Sequence, residues 1–256
     1  MAEGLTLYGF RHSVYTRIVR MALLETGLEA EYVETNPFAD PPDEVLGRVT
    51  LFDHVPVLAH GRFTLTETGA ILRYLDKISA RPTRVPRDAA AAARMDQIIG
   101  ITDAYFYRPG IRKVFAQGWY RPYIGETSNA QLIAEGLEEV GPALITLDRI
   151  AQEGLQLAEG HFSLADIHLA PMLAYFTLVP QGVAAVARYA GLHMWWERTK
   201  GRASVVATDP FGGIECCLPL PLRAWIASQA LILKAELLPW SMIPKRLCPP
   251  IGWPNT

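Results

Sequence analysis

The hydrophobic pattern of the first 79 residues alternates between two periods. Residues 5–8, Leu-Thr-Leu-Tyr, form a short apolar run, the signal of a strand. Apolar residues then recur at Val14, Ile18, Val19, Met21, Ala22 and Leu23 before Gly27. That spacing predicts a helix over 13–26, stopped by the glycine. Glu-Tyr-Val-Glu at 31–34 reads as a second strand, and 36–50, with Pro37, Pro41 and Pro42, as loop and short helix. Residues 55–65 read as two strands about a turn at His60-Gly61. Residues 67–78 return to a helical period through Ala70, Ile71, Tyr74, Leu75 and Ile78. The order βαβ, short helix, ββ, α predicts a mixed sheet with helices packed on it.

Strand signals then largely stop. Residues 80–86 have the turn and proline content of a linker, dividing a domain at 1–79 from one at 87–212. Helices are predicted over 87–107, with Pro109 breaking or kinking the run, over 127–153 with a bend at Pro142, over 163–177 and over 183–200. Ser163 at an N-cap and Asp166 three positions later make a capping box, and Phe162 and Ile167 flank it as a hydrophobic staple. No internal repeat is visible. The fold class is an α/β domain followed by an all-α helical bundle.

Composition narrows the partners. The 256 residues are half apolar and one-fifth charged, with a formal charge of −2, which gives no electrostatic case for nucleic acid or an anionic membrane. The N-terminus Met-Ala-Glu-Gly-Leu-Thr lacks a signal-peptide pattern, and no run of ~18 uncharged apolar residues marks a membrane span. The three cysteines, Cys216, Cys217 and Cys248, all lie in the last fifth of the chain, so no disulfide or CxxC centre is expected before them. A reducing cytoplasm fits this usage. The histidines show no HExxH spacing, and His161 and His168, which share a helix face if the helix reaches both, have no accompanying ligand set. No metal is expected.

Three places carry candidate chemistry. Ser13 stands where the first helix begins, with His12 beside it and no G-x-S-x-G elbow around it. By itself it reads as a helix cap, yet a hydroxyl at a helix N-terminus also suits stabilisation of a thiolate. Pro56 opens a strand, where a cis peptide would expose the backbone of Val55 to an extended peptide ligand. Glu67 and Thr68 open the next helix, where free N–H groups and the helix dipole suit a carboxylate.

In this order and spacing, the segments "SVYTRIVRMAL", "VPVL", "TETGAILRYLD", "FSLADI" and "WWERTKGRASVVATDP" resemble the glutathione S-transferase family, over residues 5 to about 210. The resemblance implies a thioredoxin-like domain followed by a helical bundle, in a serine-type, bacterial-like member. It implies that Val55, before the cis-proline, hydrogen-bonds the cysteinyl backbone of glutathione, with His54 and Pro56 also at the glutathione site, while Glu67 and Thr68, the latter standing where the family has serine, grip its γ-glutamyl end. Ser13 matches the thiol-activating serine, Arg17 the basic residue that supports it, and Tyr8 the activating tyrosine of other members. Phe10, Arg11, Tyr105, Tyr107 and Trp119 are candidates to line a site for a small apolar or aromatic electrophile, and Arg11 with Arg108 hints at a polar or anionic group on it. Glutathione would be the co-substrate, and a homodimer is the family expectation. Isomerisation, dehalogenation, ether cleavage and non-catalytic ligand binding remain as alternatives. Residues 213–256, rich in Pro, Leu and Trp, depart from the family pattern, and within them only 223–238 reads as helical.

Overall fold

The computed structural model of the protein describes residues 4–212. Its first strand, β1 (Leu5–Gly9), buries alternate residues, so Leu5 and Leu7 face one way and Thr6 and Tyr8 the other. Helix α1 (Val14–Thr26) follows, then β2 (Ala30–Glu34), α2 (Glu44–Val49), β3 (Val57–His60), β4 (Phe63–Leu65) and α3 (Thr68–Ile78). The strand order is β2-β1-β3-β4. β1 pairs parallel to β2 and antiparallel to β3, with Leu7 opposite both Tyr32 and Leu58. Arg20 of α1 lies 5.6 Å from the ring centroid of Tyr32, and Tyr74 of α3 bonds His60 at 2.7 Å. The face carrying Leu7 and Leu58 is therefore the one that α1 and α3 cover, and Ile18, Ile71, Leu72 and Leu75 are fully buried there. The mixed sheet with helices, expected from the pattern, is present.

The helical region begins with α4 (Ala89–Ile101). Pro109 does not end the run. The chain widens into a π-helical segment, Thr102–Tyr120, with Pro109 buried inside it, and continues into the single turn α5 (Arg121–Tyr123). Wider i→i+5 winding moves the carbonyl that a proline ring would strike in an α-helix, which is how an interior proline is accommodated. The helix expected over 127–153 is two, α6 (Ala130–Glu139) and α7 (Gly141–Glu153), parted at Val140 just before Pro142. That expected over 183–200 is likewise two, α9 (Pro180–Val186) and α10 (Ala190–Thr199). Between α7 and α9 in the chain runs α8 (Leu164–Phe176), buried almost all round. Its capping box forms as read, with Ser163 N donating to Asp166 Oδ2 at 2.8 Å. Asp166 also accepts from Trp195 Nε1 at 2.7 Å, which adds a long-range tie to a local cap.

The last described helix, α11 (Ala203–Ala207), returns to α1. Residues up to Pro210 form one compact unit in which α8 packs against α1. The readings made of the tail, including its cysteines and its helix, lie outside the described residues.

Candidate active site at the start of the first helix

The turn from β1 into α1 is pinned by three short contacts. Ser13 N donates to Phe10 O at 2.8 Å, Phe10 N to Thr16 Oγ1 at 3.3 Å, and Thr16 N to Ser13 Oγ at 3.3 Å. Gly9 permits this closure, because a β-carbon there would fall 2.4 Å from Thr16 Cγ2. Ser13 is thus the N-cap that its position suggested, but the cap uses only an oxygen lone pair. Among the described residues the Ser13 hydroxyl proton has no acceptor, and the N–H groups of Val14 and Tyr15 have none either. Unspent donors at a helix start are an environment for an anion.

Two further groups border this turn. Val55–Pro56 is a cis peptide, and Val55 precedes the last β1–β3 pair, Tyr8 with Val57. Its backbone lies beyond the ladder. Glu67 caps α3 with φ 66° and ψ 111°, a conformation a residue with a β-carbon seldom holds. Glu67 and Thr68 make no side-chain hydrogen bond among the described residues. The charge of Glu67 bears on Tyr15 in the first turn of α1. So the start of α3 and the start of α1 share one electrostatic neighbourhood.

Tyr15 ties that neighbourhood to the helical region. Its hydroxyl donates to Asp103 Oδ1 at 3.0 Å, and Nε2 of the fully buried His168 reaches the same oxygen at 2.8 Å. Burial first, then the charge and hydrogen bond of Asp103, push the Tyr15 phenol far above its ordinary value, so it stays protonated. His168, inside α8, is therefore engaged with the Asp103 carboxylate of the π-helical segment, while His161 stands exposed before α8 begins. The two do not share a helix face. Among the described residues no group of His, Cys, Asp and Glu is placed to hold a metal. No described helix is long and apolar enough to cross a membrane.

The family model of the glutathione S-transferase N-terminal domain matches residues 7–83, and that of the C-terminal domain matches residues 130–198. The chain belongs to the glutathione S-transferase family. It is 27% identical to glutathione S-transferase F13 of Arabidopsis thaliana over 81% of this chain and 95% of that protein. It is 32% identical to human glutathione S-transferase theta-1, over 48% of this chain and 52% of that one. Among solved structures it resembles apo glutathione S-transferase III, with TM-score 0.70 and 26% identity over 80% of this chain and 95% of that one. A stringent starvation protein A homolog of Coxiella burnetii is also a relative, 27% identical over 80% of this chain and 93% of its own.

Within this glutathione S-transferase fold the expected residues divide. Tyr8 lies on the sheet face opposite Leu7, paired with Val57 at the end of the β1–β3 ladder. Arg17 is 3% exposed. It donates to Val205 O at 2.9 Å and lies 5.3 Å from the Tyr175 centroid, anchoring α1 to the helical region. Pro56 is buried beside the half-buried Val55, and His54 is exposed. Tyr107 packs on Tyr15 with centroids 4.8 Å apart. Tyr105, at 66% exposure and without a ring partner among the described residues, is not gathered with the others. Arg108 is likewise exposed.

Phe10 does meet aromatic neighbours, His12 at 5.4 Å and Phe38 at 5.9 Å. His12 continues the row to Tyr120 and Tyr123, and Trp119 stacks on Tyr123 at 4.9 Å. The sequence reading missed His12, Phe38, Tyr120 and Tyr123 as wall residues. The spacing Phe115, Trp119, Tyr123 was a visible signal of one aromatic helix face; nothing local announced Phe38. A separate cavity of about 480 Å³ lies near the other end of α1, lined by Arg84, His161, Trp195, Arg198 and Arg202 among others. Two of its guanidiniums are paired with Glu25.

Proposed function

We propose that the protein is a glutathione transferase of the serine type, active as a homodimer in the cytoplasm. Glutathione lies along the edge of the sheet, its cysteinyl backbone on Val55 between His54 and Pro56, and its γ-glutamyl end on Glu67 and Thr68. Ser13 donates its free hydroxyl proton in a hydrogen bond to the sulfur. The thiol gives up its proton to solvent, and the thiolate attacks a small electrophile held against the aromatic row. A free thiol has a pKa of about 8.5, and lowering it by about two units needs about 2.7 kcal/mol. One charge-assisted hydrogen bond together with the unspent N–H groups of the first turn is of that size. Arg17 acts at one remove, by fixing α1. For the dimer, Leu51 at 94% and Phe52 at 64% exposure offer apolar side chains that a second copy would cover.

The observation that carries this reading is the division of labour on Ser13, whose lone pair caps the helix while its proton remains available. The names of its relatives support it. The test is conjugation of glutathione to 1-chloro-2,4-dinitrobenzene, followed as thioether absorbance. Wild type should turn over, and Ser13→Ala should lose about a hundredfold in kcat/KM. A protein that binds glutathione yet forms no thioether would instead favour a non-catalytic binding role. The starvation-protein relative, whose name mentions no transferase, keeps that second reading in view.

A further inference from the structure

The aromatic row that begins at Phe10 and His12 has two arginines at its edge, Arg112 and Arg11, whose guanidiniums make no ion pair among the described residues. Arg112, on the π-helical segment, lies 5.8 Å from the centroid of Phe38, and it makes no hydrogen bond or ion pair among the described residues. Arg11 follows Phe10 in the chain. Its backbone N–H donates to Glu34 at 2.9 Å, but its guanidinium has no partner among the described residues. Arg11 stands between Phe10 and His12 in the chain, and burial, then the Arg11 charge, hold the His12 imidazole below its ordinary value against the opposing charge of Glu34. Six other arginines are matched by an acid: Arg48, Arg73, Arg84, Arg94, Arg121 and Arg202 all meet a carboxylate. Two guanidiniums without a partner among the described residues, at the rim of an edge-to-face aromatic cluster, recognise one ligand chemistry well: a planar ring carrying an anion.

We propose that the electrophile is an electron-poor aryl compound bearing a carboxylate. Its ring lies among Phe10, His12 and Phe38, and its carboxylate meets Arg112 and Arg11. The inference rests on the transferase reading above and sharpens its substrate class. With an aryl chloride, the thiolate sulfur adds to the ring carbon that bears chlorine and a C–S bond forms. The C–Cl bond then breaks and chloride leaves with the bonding pair, while the thiol proton has already gone to solvent. Nothing is oxidised or reduced.

Two probes separate the possibilities: 4-chloro-3,5-dinitrobenzoate and the neutral 1-chloro-2,4-dinitrobenzene, each rate divided by its uncatalysed rate. Wild type should favour the benzoate by about tenfold or more, the worth of one hydrogen bond to a charged group. Arg112→Gln should erase most of that ratio, and Arg112→Lys, which keeps the charge, should restore part of it. The proposal is overturned if the two probes are accelerated alike. It is equally overturned if Arg112→Gln leaves the ratio unmoved, including the case where it raises only the KM for glutathione. Conjugation of neither probe would sink the transferase reading itself, and this inference with it.

Discussion

Helix α1 ends in two contrasting environments. At its C-terminus every strong group is matched. Glu25 accepts from Arg202 at 2.5 and 2.8 Å and from Ser204 at 2.6 Å, and it pairs with Arg84 at 2.8 Å. Gly27 closes the helix in the left-handed region at φ 71°, under the Arg81 guanidinium, which donates to Leu24 O and Glu25 O. At the N-terminus the donors outnumber the acceptors. The Ser13 proton, two backbone N–H groups and the guanidiniums of Arg11 and Arg112 have no partner among the described residues, and Glu67 is held in a strained conformation. The same helix is finished at one end and left open at the other. Saturated hydrogen bonding is what stability selects; unspent, pre-aimed donors are what a ligand needs.

Breaking the finished end should have the largest effect on folding. Glu25→Ala strands two partly buried guanidiniums, and a loss of about 3 kcal/mol is expected from the midpoint of denaturant unfolding. The pH dependence has a definite sign. Burial pushes the Glu25 carboxyl up, but the hydrogen bonds from Arg202 and Ser204 and the charges of Arg202 and Arg84 hold it below its ordinary 4.5. Its contribution is therefore present above pH 4.5 and is lost as the pH falls through the lower folded value. Wild type should lose more stability than Glu25→Gln over that acid range, in unfolding followed by circular dichroism.

Crowding the turn that leads into the open end comes next. Gly9→Ala drives a β-carbon against the buried Thr16 and should cost about 1–3 kcal/mol. Because Thr16 also holds Phe10 and Ser13, transferase turnover should fall with it. Ser13 separates the two roles at a single atom. Ser13→Gly should cost only a few tenths of a kcal/mol in the cap, against about 1 for Ser13→Ala, while both should abolish the catalytic advantage. The smallest effect should come from Tyr105→Ser, within about 0.5 kcal/mol in stability, with unchanged turnover; a large loss there would place Tyr105 in a site the fold does not gather it to.

The contrast also explains what the sequence could reveal. The sheet and its two helices were legible because glycine, proline and a polar cap punctuate them: Ser13 and Gly27 bracket α1, and Gly61, at φ 59°, turns β3 into β4. The Ser163 capping box was legible for the same reason. What failed depended on packing at a distance. Pro109 reads locally as a break, yet the π-helical segment carries it through, and Val140 and residues 187–189 divide helices whose apolar period continues across the gap. The site followed the same division. The turn at Ser13 and the pair Glu67-Thr68 are local signals. The aromatic row joins residues 10, 12, 38, 120 and 123 from three separate stretches, and the bond from Tyr15 to Asp103 spans 88 residues. No window of sequence contains either.

The most direct test is an ultraviolet titration of glutathione bound to wild type and to Ser13→Ala. A thiolate band that appears well below pH 8.5 in wild type, and returns to the ordinary range in Ser13→Ala, is the expected result. The same band in both proteins would contradict the central claim, leaving Ser13 a helix cap and nothing more.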